Sequence, residues 1–194
     1  AYQESLQTLQ KAVKETEQTT NATPARAVLT PSEIFGISEA YYQRLVEGKQ
    51  FPIAVEAFRL LLSKKPYSPE IQDFLEGRLK RLELVGKPAP AIVGTDLDGK
   101  AFDLKNEQGK VVLVAFWTSW SHPSAVQMAW VESVLKKYDA GKLAVVGINL
   151  DAAEDARPET LLPNIRRFLI EYNSPWPTLL NGTESQDYAA AYGI

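Results

Sequence analysis

Cysteine is absent from the 194-residue sequence, and His122 is its single histidine. Disulfide bonds and thiolate chemistry are therefore excluded for this chain, although the compartment is not identified by that absence. Carboxylates alone remain as metal ligands, and Asp151, Glu154, Asp155 and Glu159 are loosely spaced, as in a solvated acidic turn. We therefore expect no metal and no other cofactor.

Positive charge is not in excess, and long apolar runs are missing. The sequence has 21 basic and 24 acidic residues, a net charge of -3 and a pI near 5.3. This balance lacks the basic footprint of a nucleic-acid-binding protein, so we expect no nucleic-acid partner. No apolar stretch approaches the roughly 20 residues that span a bilayer, so we expect no transmembrane segment in this chain. A hydrophobic fraction of 45% fits a globular protein with one good core or two small ones.

Helical patterns occupy the first 85 residues. Apolar residues recur at spacings of three and four in a first segment, where Tyr2, Leu6, Leu9 and Val13 form one stripe. Capping and proline signals predict further helices over about 31–47, 51–64 and 69–85. A polar loop at 19–30 separates the first segment from the helix at 31–47. Part of this region is weakly similar to one tetratricopeptide hairpin, but we find no second copy, and repeat arrays need about three units. We therefore predict a small helical bundle over 1–85.

The stretch from Val111 to Trp117 is an unbroken apolar run rich in β-branched and aromatic residues. It predicts a central parallel strand that is buried on both faces. A polar loop from Thr118 to Ser124 follows, and then apolar residues at helical spacing predict a helix that includes Met128 and Ala129 on its inner face. Strand, loop and helix place Ser121 at a helix N-terminus, where the helix dipole favours a negative atom.

The order of elements around this stretch predicts an α/β domain over 86–194. Asp98-Gly99, between short apolar runs at 92–97 and 101–104, is a hairpin signal. After the central strand and its helix we expect a second buried strand at 143–150, a helix at 161–172, a short strand at 176–180 and a helix from Asp187. This βαβα order implies a parallel sheet with right-handed crossovers.

The segment Phe116-Trp117-Thr118-Ser119-Trp120-Ser121-His122-Pro123-Ser124 resembles the active-site motif of thioredoxin-like proteins, Phe-Trp-x-x-Trp-Cys-x-Pro-Cys. The nearest branch is the TlpA/ResA (redoxin) type of extracytoplasmic thiol-disulfide oxidoreductase, and the similarity runs from about Gly86 to Ile194. It implies a thioredoxin-like fold, an extracytoplasmic location and a protein or peptide partner. The family's cis-proline loop, β-hairpin and last helix would follow Ile194, so we expect the domain to be truncated before them.

By this resemblance Ser121 and Ser124 stand at the two catalytic cysteine positions. Oxygen cannot perform thiol-disulfide exchange, so we expect the site to be redox-inactive. The serines are explained either by engineered substitution or by evolutionary loss of cysteine. Relatives of this type usually carry a glutamate where this chain has Gln127, and thioredoxin has a buried aspartate where it has Ala115. Since engineering would not have removed these carboxylates as well, we favour evolutionary loss.

A serine hydrolase and a peroxiredoxin are two other functions that the same residues suggest. A hydrolase would need His122 within reach of Ser121 and oriented by a third group, whereas adjacent side chains at a helix start point apart. A peroxiredoxin-type site is suggested only by Thr118, three residues before Ser121. We expect Ser121 to cap the helix instead. Trp117 is expected in the core, and a non-enzymatic alternative assigns partner binding to the surface at Trp120, His122 and Pro123.

Overall fold

A computed structural model describes residues 3–4, 7, 10–11, 30–63, 67–139, 141–151, 158–182 and 186–194. It has two compact units, a helical unit of residues 1–89 with 192–194 and an α/β unit of residues 90–191. The apolar stripe predicted for the first helix and the loop predicted for 19–29 lie outside the described residues. No helix in the described part is long and apolar enough to cross a membrane.

Three helices build the described helical unit, close to the predicted positions. They are α1 (Pro31–Glu47), α2 (Phe51–Leu62) and α3 (Pro69–Leu84). Thr30 and Glu33 form a capping box at the start of α1, and the hydrogen bond from the Thr30 backbone lowers the pKa of Glu33. Ser68 precedes α3 but makes no capping hydrogen bond. Ser68 thus stands at the N-cap position without a side-chain cap, and it hydrogen-bonds Glu70, which lowers the pKa of that carboxyl.

Buried apolar side chains of all three helices form one core. It consists of Leu45, Ala54, Phe58, Ile71, Leu75 and Leu82. Ala54 and Phe58 of α2 are four residues apart, and Ile71, Leu75 and Leu82 of α3 are four and seven apart, so each set lies on one face of its helix.

Strands and helices alternate in the α/β unit. Its elements are β1 (Val93–Thr95), β2 (Ala101–Asp103), a short 3-10 helix (Leu104–Glu107), β3 (Val111–Trp117), α4 (His122–Leu135), β4 (Leu143–Asn149), α5 (Pro158–Glu171), β5 (Thr178–Leu180) and α6 (Tyr188–Tyr192). The predicted hairpin is confirmed, since β1 and β2 pair antiparallel. Asp96 Oδ1 accepts hydrogen bonds from the amides of Asp98 and Lys100 in its turn, and Gly99 has a φ of 79°.

The main sheet is parallel and has the order β3-β4-β5. The predicted strand Val111–Trp117 is present, but its predicted central place is wrong. Among the described residues it pairs on one side only, and β4 occupies the centre. The predicted burial on both faces is only partial, since Ala115 and Trp117 are buried, Val111 is exposed and the other residues are half-buried. Central position depends on pairing at a strand's two edges, which sequence pattern does not show.

Both crossover helices pack on one face of this sheet, because β3, β4 and β5 follow one another in the same direction and right-handed crossovers then stay on one side. The core on this face combines residues of the strands, of α4, of α5 and of the segment before β5. It includes Ala115, Trp117, Ala125, Met128, Val131, Val145, Ile165, Phe168, Trp176 and Leu180. The inward position predicted for Ala129 is wrong, since that residue is exposed one helical step away from buried Met128.

The opposite face of the sheet is approached by the hairpin and α6. Leu179 alternates with its neighbours in β5 and lies next to Gly94 of β1. The hydroxyl of Tyr188 donates a hydrogen bond of 2.6 Å to the carbonyl of Val93. The short hairpin is thereby tied to the last helix of the α/β unit.

Gly147 sits at the most crowded point of β4. A Cβ atom there would lie 2.8 Å from Thr178 Oγ1 and 3.0 Å from Trp117 Nε1. Both side chains are buried in the core and cannot withdraw freely. The absence of a side chain at this position is therefore what allows the two neighbouring strands to carry bulky residues.

We predict that Gly147→Ala destabilises the protein by about 1–3 kcal/mol, as overpacked core substitutions do. Gly36→Ala is the control, because a Cβ at Gly36 of α1 meets no atom within 4 Å. That control should be neutral or stabilising by up to about 1 kcal/mol, since alanine is the better helix former. Urea denaturation followed by circular dichroism measures both, and a Gly147→Ala protein as stable as the parent would contradict the packing argument.

Candidate functional site

The candidate site is the loop between β3 and α4. Because β3 and β4 are parallel and in register from Val111↔Leu143 to Trp117↔Asn149, their carboxyl ends finish at the same edge of the sheet. The ladder continues for one more bond, in which the amide of Leu150 donates to the carbonyl of Trp117 over 2.8 Å. The segment after β4 is thereby brought directly against the loop that carries the two serines.

Ser121 is the residue that precedes the first turn of α4. Its backbone is extended, with φ of -95° and ψ of 122°, and its carbonyl accepts the amides of Ser124 and Ala125 at 3.1 and 3.3 Å. Its position is therefore the predicted one, but the predicted capping bond is not formed by its side chain. The half-buried hydroxyl of Ser121 lies at a helix N-terminus, the place where a thiolate would be stabilised.

Ser124 is placed quite differently, although it stands only three residues further on. Its side chain is buried, and its Oγ accepts a hydrogen bond of 3.1 Å from the amide of Thr118. This bond joins the first turn of α4 to the first residue after β3. The hydroxyl of Ser124 thus has a structural use that Ser121 lacks.

His122 and Pro123 occupy the first two positions of α4, and both are exposed. No hydrogen bond joins His122 to Ser121 in the described residues. The arrangement therefore shows no nucleophile and base of the kind that a serine hydrolase needs.

Asp151 is the site residue whose role sequence reasoning missed. Its Oδ1 accepts the amide of Ser119 at 2.8 Å, and its own amide donates to Oδ1 of the fully buried Asn149 at 3.1 Å. The interpretation of Asp151 as part of a solvated acidic turn is therefore wrong, because the loop after β3 supplies an amide that needs an acceptor. The available signal was an Asn-x-Asp sequence that begins at the last residue of a buried strand.

The rest of the predicted acidic turn cannot be placed in the same way. Glu154 and Asp155 lie outside the described residues, and so does the side chain of Glu159. Within the described part of the chain, no group of three or more acidic, histidine or cysteine residues is arranged to hold a metal ion.

The two tryptophans of the motif face opposite environments. Trp117 is 1% exposed and stacks on Phe168 with ring centroids 4.7 Å apart, as expected for a core residue. Trp120 is 79% exposed. A groove of about 200 Å³ lies beside it, lined by Ser119, Trp120, Asn164, Arg167, Phe168 and Glu171. The loop therefore presents a large apolar side chain to solvent next to a groove with polar walls.

Comparison with known proteins agrees with the sequence motif. The sequence profile described as "AhpC/TSA family" matches residues 85–194, more than half of the chain. The chain is 27% identical over 110 residues to the thiol-disulfide oxidoreductase ResA of Bacillus thuringiensis, covering 57% of this chain and 58% of that protein. It is 33% identical over 96 residues to the thioredoxin-like protein YneN of Bacillus subtilis, covering 50% and 53%. The resemblance to thioredoxin-like thiol-disulfide oxidoreductases is thus confirmed.

A solved structure of similar description is the thioredoxin domain of a thiol-disulfide oxidoreductase from Bacteroides vulgatus. It superposes with a TM-score of 0.46 at 25% sequence identity, covering 56% of this chain and 73% of that one. The chain spans little more than half the length of the two curated relatives described above.

The contrast between the two serines makes a direct prediction. Ser124→Ala should cost about 1–3 kcal/mol of stability, because it leaves the partly buried amide of Thr118 without an acceptor. Ser121→Ala should change stability by no more than about 0.5 kcal/mol, because its side chain makes no capping bond. Urea denaturation of both variants is the measurement, and equal losses of stability would contradict the roles assigned to the two hydroxyls.

Proposed function

Because the chain belongs to the AhpC/TSA family and its α/β unit has a thioredoxin-like fold, we propose that residues 86–194 are a ResA-type domain in which thiol-disulfide exchange has been lost at Ser121 and Ser124. In this proposal residues 1–85 are an accessory helical domain. The proposal includes an extracytoplasmic location and protein or peptide partners, both of which follow from the resemblance to the TlpA/ResA type.

The observation that carries this proposal is the placement of the serines. Ser121 stands at the N-terminus of α4, and Ser124 lies in its first turn. A thiolate at the first position would attack a disulfide, and a thiol at the second would resolve the mixed disulfide. A serine hydroxyl neither ionises near neutral pH nor exchanges with sulfur. In the proposal, these are the two positions of an exchange site, and they hold atoms that cannot perform exchange.

The surroundings of the serines support their being native residues. Ser124 Oγ accepts a backbone amide, for which oxygen is a better acceptor than sulfur. Position 115 is a buried alanine, and the exposed Gln127 on α4 carries no titratable group. Both the exchanging thiols and the carboxylates that the resemblance implies at positions 115 and 127 are therefore missing, as expected if catalytic function had been lost as a whole.

Restoring the thiols tests the proposal. We expect the native chain to leave insulin disulfides intact, and the Ser121→Cys/Ser124→Cys variant to reduce them in the presence of dithiothreitol. The matched control is Ser119→Cys/Ser133→Cys, which places the same number of thiols outside the two positions. If the first variant is no faster than the control, positions 121 and 124 do not form an exchange site and the proposal fails.

A second function, protein binding without redox chemistry, is favoured by the exposure of Trp120. An exposed indole next to a groove is a feature of protein-binding surfaces, where tryptophan contributes a large share of the binding energy. His122 and Pro123 are exposed directly after it and would extend the contact surface. Because this surface contains no redox group, its use would survive the loss of cysteine.

This second function predicts that binding depends on Trp120. Peptides selected on the native chain from a random phage-displayed library should lose about 2 kcal/mol of affinity, or roughly thirtyfold, in Trp120→Ala. Trp130→Ala is the control, because Trp130 is 55% exposed but lies on the outer side of α4. Fluorescence anisotropy measures both affinities. Equal affinity for the two variants, or a failure to select any peptide, would argue against a binding surface at the loop.

A further inference from the structure

We propose that Asp151 is the positioning residue of the loop that carries Trp120 and Ser121. The inference deepens the proposed function, since it concerns the same loop. It depends, however, on hydrogen bonds that exist whether or not the site has ever exchanged disulfides.

The loop is held at two consecutive backbone amides by side chains from two different elements. The amide of Thr118 donates to Ser124 Oγ, in the first turn of α4, over 3.1 Å. The amide of Ser119 donates to Asp151 Oδ1, just beyond β4, over 2.8 Å. The direction in which the chain leaves β3 is thereby fixed from both sides before it reaches Trp120.

The backbone of Asp151 is itself held by the end of β4. Its amide donates to the side-chain oxygen of Asn149, which is completely buried at the end of β4. The backbone carbonyl of Asn149 accepts the amide of Asn181 over 2.9 Å, after the next strand. The carboxylate therefore extends from a rigid part of the sheet, and its hydrogen bond to Ser119 fixes the position of the loop relative to the sheet.

The position of the loop matters because it sets the direction of the Trp120 side chain. Its side chain is 79% exposed, so packing cannot hold it in place, and its direction is set by the backbone that precedes it. The same holds for Ser121, whose side chain makes no capping bond. A short charge-assisted bond to Ser119, the residue before Trp120, is the nearest constraint on both.

Substitution at Asp151 separates the hydrogen bond from the charge. Asp151→Ala removes both, whereas Asp151→Asn removes the charge and keeps an oxygen that can accept the amide of Ser119. A comparison of these two neutral variants therefore isolates the positioning contact from any electrostatic effect of the carboxylate.

The first measurement is amide hydrogen exchange in the whole native chain. We expect Asp151→Ala to speed exchange at Ser119 by about 10- to 100-fold, because a bond to a charged acceptor is lost. Asp151→Asn should stay much closer to the native rate. Exchange at Leu97, whose amide bonds to the carbonyl of Thr178 over 2.9 Å, is the internal control for global unfolding. Equal rates at Ser119 in the two variants would overturn the proposal.

The second measurement reports on the chemistry of position 121. In a Ser121→Cys background, which keeps the bond from Thr118 to Ser124, the rate of alkylation by iodoacetamide is followed against pH. Both added variants lack the carboxylate, so they are compared with each other: Asp151→Ala should give the introduced thiol a higher apparent pKa and several-fold slower alkylation near neutral pH than Asp151→Asn, because the thiolate loses its alignment with the helix N-terminus. Identical profiles for the two neutral variants would overturn the positioning role.

These outcomes are distinguishable from those of the insulin assay. If Ser121→Cys/Ser124→Cys is inert towards insulin but exchange and alkylation depend on Asp151 as expected, the positioning role stands and the exchange-site proposal fails. If the double variant is active but Asp151→Ala and Asp151→Asn behave alike, the exchange-site proposal stands and Asp151 is not the positioning residue.

Discussion

The parallel pairing of β3 with β4 is the constraint on which the site depends. Seven residues of each strand are in register, so Trp117 and Asn149 finish side by side at the carboxyl edge of the sheet. Slipping either strand by one residue would move Trp117 from the core face to the other face, and its stacking on Phe168 would be lost. The stacking therefore fixes the register, and the register decides that Asp151 meets the loop after β3.

The two serines differ in whether their hydroxyl groups help to hold the loop. At position 121 the hydroxyl cannot act as the nucleophile of disulfide exchange, and the side chain makes no capping bond. At position 124 the hydroxyl is instead part of the framework, because it accepts the amide of Thr118 across the loop. The bonds that hold the loop do not involve the side chain at position 121, so the shape of the loop does not depend on the chemistry of that side chain.

Local patterns predicted much of this structure, and their physical basis explains which parts. The turn at Asp98-Gly99 is fixed by the Asp96 side chain, which accepts two backbone amides, and by the positive φ of Gly99; both are local, so the hairpin could be predicted. The start of α4 could be predicted because proline in the first turn is compatible with a helix start. The edge position of β3 could not, because it depends on partners distant in sequence. Asp151 was missed for the same reason, since its acceptor role joins residues 32 positions apart.

A rigid loop that exposes a large apolar side chain is favourable for binding and unfavourable for the free protein. The indole of Trp120 keeps most of its surface in water, which gives up the stabilisation that its burial would provide. Because the amides of Thr118 and Ser119 are already held by hydrogen bonds, the loop would lose less conformational entropy on binding a partner. The adjoining groove offers amide, guanidinium and carboxylate groups that can orient a bound backbone. Exposure, rigidity and neighbouring polar groups, none of which involves sulfur, are the properties on which the proposed binding of a partner at this surface depends.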